Sequence, residues 1–204
     1  LIDLFKKEGH NNVYHLPWCG YLEKDAKWPD KKDYKHNLIF IGSFNPEVFP
    51  REAEIQSLKD LGLKIWGPGW GDSVLKDVWQ GIIPPVAEKV QAVYRDSKIA
   101  IYYDSLYDVP GTGITLRPFE ITAAGTMMLG QVFRAEFPEL FEYGKEAVTF
   151  QGIEELKEKA AYYLSHEEER LNIAKAGFER ARNTHTYYDR VKRILDVVNG
   201  KVLQ

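Results

Sequence analysis

The chain is poorest in sulfur: of its 204 residues one is cysteine, Cys19, and two are methionine. A single thiol excludes an intrachain disulfide and a cysteine-based zinc site, and it fits a reducing compartment, so a cytoplasmic protein is expected. No apolar run approaches the roughly 20 residues needed to span a bilayer, and no basic-then-apolar signal segment opens the chain, which predicts a soluble protein without a membrane span. An excess of one charge is missing too. A net charge of -3 at pH 7 supplies no general pull toward nucleic acid, so none is expected as a partner and any anion binding has to come from a few placed groups.

Several catalytic signatures are also absent. The five histidines, His10, His15, His36, His166 and His185, are dispersed and make no metal-ligand spacing with one another or with Cys19, so neither a metal nor a cofactor is expected. There is no Gly-x-Ser-x-Gly elbow and no Gly-x-x-x-x-Gly-Lys phosphate loop, which removes the simplest serine-hydrolase and nucleoside-triphosphatase readings.

What is there is a soluble-globular composition, 44% hydrophobic and 28% charged, with strand and helix signals in alternation. Ile2 to Lys7 reads as the end of a helix, Asn12 to Leu16 as a short strand, and Gly20 to Tyr34 as a linker. Leu38-Ile39-Phe40-Ile41 is a continuous apolar strand of the kind buried on both faces of a parallel sheet. A helix from Arg51 to Leu61, a strand from Leu63 to Trp66, a helix from Pro84 or Pro85 and a strand from Lys98 to Tyr102 follow. Thr115 is expected to cap a helix that ends at Gly125. Strands at Thr126 to Gly130 and Ala147 to Phe150 come next, then helices opened by a capping box at Ser165 to Glu168 and ended at Gly200. This order predicts an α/β fold, a doubly wound Rossmann-like parallel sheet, whose ligands bind outside the carboxyl ends of the strands. Residues 1–36 are expected to be a remnant of a preceding domain with a linker, 37–183 the sheet domain, and 184–204 a final helix packed on it. Residue 1 is Leu, which leaves trimming and excision from a longer polypeptide both open.

The first chemical candidate is Gly111-Thr112-Gly113-Ile114-Thr115-Leu116-Arg117-Pro118-Phe119-Glu120, a glycine-containing loop feeding a helix. Amides at Gly113, Ile114 and Thr115 and the Arg117 guanidinium suit a diphosphate, and Glu120 one turn on suits a pair of ribose hydroxyls. A merely capped helix with Arg117 and Glu120 solvated is the alternative. The second candidate is Gly42-Ser43 after the first strand, with Arg51 near the following helix; here Arg51 could equally pair with Glu47 or Glu54. Gly67-Pro68-Gly69-Trp70-Gly71 lacks dinucleotide-fingerprint spacing and reads as a shaped loop beside the ligand. His185-Thr186-Tyr187-Tyr188-Asp189-Arg190 reads as the lock of the last helix.

Taken in order, Phe40-Ile41-Gly42-Ser43 with Arg51, Ile65-Trp66-Gly67-Pro68-Gly69-Trp70, Lys98-Ile99-Ala100, Arg117-Pro118-Phe119-Glu120 with Ala124-Gly125, Ile173-Ala174-Lys175-Ala176-Gly177, and His185-Thr186-Tyr187 with Arg190 resemble the carboxyl-terminal domain of two-domain GT-B glycosyltransferases, and within them the CgeB-like, spore-maturation group. The resemblance implies metal-independent glycosyl transfer in which this half binds a nucleoside-diphosphate sugar and an N-terminal domain of the same polypeptide supplies the acceptor site. It implies that Glu120 holds the donor ribose, that Gly42, Ser43, Gly113, Ile114 and Thr115 lie by the diphosphate, and that Arg51 and Arg117 stabilise its charge. Relatives carry a glutamate near the sugar eight residues before the ribose-binding one; that place is Thr112 here, which is expected among the donor-binding residues. A non-catalytic nucleotide-binding module and a nucleotide-sugar epimerase of the same architecture are the competing expectations.

Overall fold

Five apolar segments become strands: β1 (His36–Ile41), β2 (Leu63–Trp66), β3 (Ser97–Tyr103), β4 (Met127–Gln131) and β5 (Val148–Thr149). In the computed structural model, which describes residues 2–28, 33–45, 51–104, 114–131 and 134–201, they pair in the order β2-β1-β3-β4-β5, every pair parallel. The chain passes from β1 outward to β2, then returns to the other side of β1 for β3. The strand order therefore reverses between β1 and β3, and a reversal opens a crevice at the carboxyl ends of the two strands.

Eight helices are seen among the described residues: α1 (Ile2–Lys7), α2 (Glu52–Gln56), α3 (Ala87–Arg95), α4 (Arg117–Ala123), α5 (Phe137–Leu140), α6 (Gly152–Ser165), α7 (Glu167–Thr184) and α8 (Tyr187–Val198). Side chains alternate through the sheet with a period of two. Leu38, Ile99, Ile101, Met127 and Leu129 meet Ile55 of α2, Leu156 and Ala160 of α6 and Ile173 of α7 on one face. Ile39, Ala100, Tyr102 and Met128 meet Val90 and Tyr94 of α3, Phe119 and Ile121 of α4 and Phe137 of α5 on the other. Continuous apolar strand sequence follows from burial on both faces, and truncating one such residue, Ile99→Ala for example, removes about 2 to 5 kcal/mol.

The structure redraws several boundaries. Asn12 to Leu16 forms no strand, because no sheet edge lies alongside for it to pair with. The expected helix from Arg51 to Leu61 breaks: α2 stops at Gln56, the Ser57 hydroxyl donates to the Glu54 carbonyl at 2.6 Å, and a 3₁₀ turn at Lys59–Leu61 closes on left-handed Gly62. Thr115 does not cap α4. Leu116 holds that position and the Thr115 hydroxyl lies 3.2 Å from the Tyr102 hydroxyl instead. Ser165 belongs to α6 and its Oγ donates back to the Tyr162 carbonyl at 2.8 Å, so no capping box forms there. The capping box stands at α8, where Thr186 and Asp189 satisfy each other's backbone N–H groups.

The Pro17–Gly20 segment meets the start of α8. Arg190 donates to the carbonyls of Pro17 and Trp18, and the Gly20 N–H donates to the His185 carbonyl at 2.9 Å. Gly20 lies so close to α4 that a Cβ there would sit 2.5 Å from the Phe119 carbonyl oxygen, which no larger residue tolerates. Beyond its first turn α8 is not packed on the sheet domain: Val191, Ile194, Leu195 and Val198 are all exposed.

Candidate functional site

The crevice between β1 and β3 is a cavity of about 380 Å³, within the range of small-molecule sites. Its floor and walls include Gly42 and Ser43 after β1, Tyr102 and Tyr103 at the end of β3, and two cations from different parts of the chain, Arg51 and Arg117. Thr115 lines it as well.

The turn after β1 is braced from below by the Gly67–Gly71 segment. The Gly42 N–H donates to the Trp66 carbonyl, the Trp70 indole N–H donates to the Gly42 carbonyl at 2.8 Å, and the Phe44 N–H donates to Pro68. Gly67 has φ 135 and a Cβ there would collide with the Gly42 carbonyl, so only glycine allows the two turns to approach. The aromatic-glycine loop thus shapes the site's edge, and Trp70 itself lines the cavity.

The two arginines are embedded differently. Arg51 is 9% exposed; its guanidinium donates to the Asp104 carbonyl and lies 4.6 Å over the centre of the Tyr103 ring. Burial lowers its pKa, opposed by Tyr103, Glu54 and Asp104 around it. Burial also pushes the Tyr103 and Tyr102 hydroxyls well up, with Glu54 adding to the first and Asp104 to the second, so both phenols stay neutral donors. Arg117, at the start of α4, has a side chain 38% exposed and pairs with Glu120 at 2.6 Å. Burial pulls its pKa down, but Tyr94 and the Glu120 carboxylate outweigh it and raise the pKa.

Glu120 does not line the cavity that holds both arginines. Its carboxylate, 12% exposed, borders an adjoining hollow that shares Thr115 and Arg117 with the first. The Ile114 side chain is buried in the core, leaving only its backbone for a ligand. The N–H groups of Phe119 and Glu120 are taken by the Leu116 carbonyl, and Pro118 has none, so α4 brings fewer open amides than the loop-into-helix pattern suggested. Thr112 and Gly113, with Gly111, lie outside the described residues.

Sequence reading missed Asp104. This fully buried residue directly follows β3; its carboxylate accepts from the Tyr102 hydroxyl at 3.1 Å and faces Arg134 at 3.2 Å, while its carbonyl accepts from Arg51. The signal was a carboxylate directly after the apolar run Ile99 to Tyr103. Among the described residues no three His, Cys, Asp or Glu side chains group closely enough to hold a metal ion, and no helix is long and apolar enough to cross a membrane.

The profile of the glycosyl transferase-like family matches residues 51–196, a span that runs from Arg51 through α4 and into α8. The chain belongs to the glycosyl transferase-like family. Spore protein CgeB of Bacillus subtilis is 23% identical to it over 205 residues, covering 90% of this chain and 60% of CgeB. Among solved structures, a variant of S. aureus TarM in complex with UDP superposes with a TM-score of 0.67 at 14% identity, over 97% of this chain and 42% of TarM. The C-terminal domain of the group 1 glycosyl transferase LpcC from Francisella tularensis gives 0.55 at 14%, over 76% of this chain and 89% of that domain. The parallel five-stranded sheet with flanking helices is the fold found in GT-B glycosyltransferases, and this glycosyl transferase-like chain spans 60% of the length of CgeB and 42% of that of TarM.

Proposed function

We propose that the β1–β3 crevice binds the diphosphate of a nucleoside-diphosphate sugar, and that the chain is the donor-binding half of a metal-independent glycosyltransferase whose acceptor site lies in another domain. One observation carries this reading: Arg51 and Arg117 come from distant parts of the sequence yet line one cavity with the Gly42–Ser43 turn, at the point where the strand order reverses. TarM, of the same fold, is a protein solved with UDP.

In such a transfer the bond between sugar and diphosphate breaks, and the departing nucleoside diphosphate gains negative charge. Fixed guanidinium groups in a partly desolvated crevice favour that charge more than the ground state, which is what lowers a barrier. Arg117 suits this role by geometry, since a guanidinium carries five N–H donors and Glu120 occupies one side of it. Arg51, held at the cavity wall by Asp104 and Tyr103, contributes chiefly as a preset positive charge. Glu120 sits where the ribose would extend from the diphosphate.

A thermal-shift panel of UDP, GDP, ADP and their sugars tests the proposal. At a hundredfold excess over Kd, a nucleotide that binds only the folded chain raises Tm by about 5 to 10 °C. The shift persists in EDTA and is lost at the same concentration in Arg117→Ala. A panel with no shift at all, or an Arg117→Ala chain that keeps the full shift, rejects the reading.

A further inference from the structure

A short chain of hydroxyls leads from a buried carboxylate to the cavity. Asp104 is fully buried and its carboxylate faces Arg134 at 3.2 Å; a carboxylate paired with a guanidinium has no proton to offer and only accepts. The Tyr102 hydroxyl, 3.1 Å away, gives Asp104 its single proton. Burial and the Asp104 charge hold that phenol well above its ordinary pKa, so the proton stays where it is. Tyr102 then has only lone pairs left for the Thr115 hydroxyl at 3.2 Å, and the Thr115 proton must point at Tyr102. Thr115 lines both the arginine cavity and the adjoining hollow, and its Oγ1 meets a ligand with lone pairs alone.

We infer that Asp104, acting through Tyr102, makes the Thr115 side chain a fixed hydrogen-bond acceptor that selects a ligand hydroxyl and rejects a phosphate oxygen. The inference rests on the diphosphate reading and deepens it. A threonine hydroxyl free to rotate donates or accepts as its neighbour requires, and the buried carboxylate removes that choice. Phosphate oxygens accept and are repelled by an oxygen that also only accepts, whereas a ribose or sugar hydroxyl has a proton to give. The site is thereby divided by polarity. Arg51 and Arg117 donate to the diphosphate; Thr115 accepts from the hydroxyl-bearing part beside it, as does the Glu120 carboxylate, which borders the hollow that Thr115 and Arg117 share with the arginine cavity. Asp104 and Tyr102 are positioning residues in this arrangement. Since the Asp104 carbonyl also holds Arg51, one buried residue sets both a donor and an acceptor of the site.

The test uses calorimetry on the full chain with UDP, GDP, ADP and their glucose conjugates, and inorganic pyrophosphate as a competitor against whichever nucleotide binds. Thr115→Val keeps the side-chain shape and removes the oxygen; it is expected to raise the nucleotide Kd by roughly tenfold and to leave the pyrophosphate inhibition constant unchanged. A loss seen with the nucleoside diphosphate itself assigns the hydroxyl to ribose, and a loss confined to the glucose conjugate assigns it to the sugar. Thr115→Ser restores what Thr115→Val loses. Tyr102→Phe leaves Thr115 in place but frees its proton, so pyrophosphate binds more tightly than to the unaltered chain while the nucleotide binds less tightly, a split that lost packing alone does not produce. No loss in Thr115→Val, or equal losses for nucleotide and pyrophosphate, overturns the assignment and leaves the diphosphate site standing, and it does so even if Tyr102→Phe fails to fold. A folded Tyr102→Phe chain that keeps the original preference for nucleotide over pyrophosphate overturns it as well. Nucleotide binding that pyrophosphate cannot displace removes both readings.

Discussion

Two polar clusters of similar make-up lie in this chain, and they behave in opposite ways. Where the Pro17–Gly20 segment meets the start of α8, Arg190 donates to the carbonyls of Pro17, Trp18 and Thr184 and to His185 Nδ1. Since a guanidinium only donates, His185 Nδ1 must accept, and its Nε2 carries the proton that goes to the Leu140 carbonyl at 2.9 Å. Every polar atom of that cluster has an internal partner, so it locks. At the crevice, Arg117 pairs with Glu120, meets the Tyr94 hydroxyl, and still keeps more than a third of its side chain in solvent. Residue type does not separate the two clusters. What separates them is how far each group's hydrogen-bonding capacity is used within the fold, and whether the remainder faces a cavity.

The comparison predicts that the junction governs stability, and the largest effect is a pH effect. Burial lowers the His185 pKa to about 4, with Arg190 and Arg180 lowering it further and the Leu140 carbonyl and Asp189 opposing. The unfolded histidine titrates near 6.5, so between about 6.5 and 4 the unfolded state binds more protons and stability falls as pH falls. The full loss is about 3 kcal/mol by pH 4. Urea unfolding at pH 7 and pH 4.5 should show it, and His185→Gln should flatten that part of the profile; an identical pH dependence in the variant would return His185 to the ordinary core. Arg190→Ala comes next, with about 2 kcal/mol of stability lost as several carbonyls lose a charged donor. Chemical denaturation measures it, and a loss near zero would mean that water replaces the guanidinium without penalty.

The sheet was legible because its signal is repeated: Leu38 to Ile41, Leu63 to Trp66 and Lys98 to Tyr102 are short, mostly apolar runs, and the strands found there differ from expectation by a residue or two. Capping was less legible. Thr115 and Ser165 both have the right side chain for a cap, yet Thr115 turned to the buried Tyr102 hydroxyl and Ser165 was absorbed into the end of α6. A cap is set by where the backbone leaves the helix, and that depends on tertiary contacts that local sequence does not encode. The convergence of Arg51 and Arg117 was anticipated only through a family resemblance, since nothing in spacing tells that two loops far apart in sequence end at adjacent strands. Asp104 went unnoticed for the same reason: it matters because β3 ends beside β1.

Glu120 sharpens the comparison from the crevice side. Replacing it with Ala removes a charged acceptor from the proposed ribose and should weaken nucleoside diphosphate binding by about 1.5 to 3 kcal/mol, read by calorimetry. Unchanged affinity would mean that Glu120 serves only to hold Arg117 in place. The smallest effect expected is the one that separates the clusters most cleanly. Arg117→Ala breaks an ion pair whose cation is more than a third exposed and a contact with the buried Tyr94 hydroxyl; solvent screening limits what the pair is worth, so denaturation should register about 1 kcal/mol, below the loss in Arg190→Ala. The same substitution should abolish the nucleotide-induced thermal shift. An arginine whose removal leaves the fold intact and empties the site is poised for a ligand. If Arg117→Ala instead destabilises the chain as much as Arg190→Ala does, the crevice is a second lock, and the distinction between the two clusters disappears.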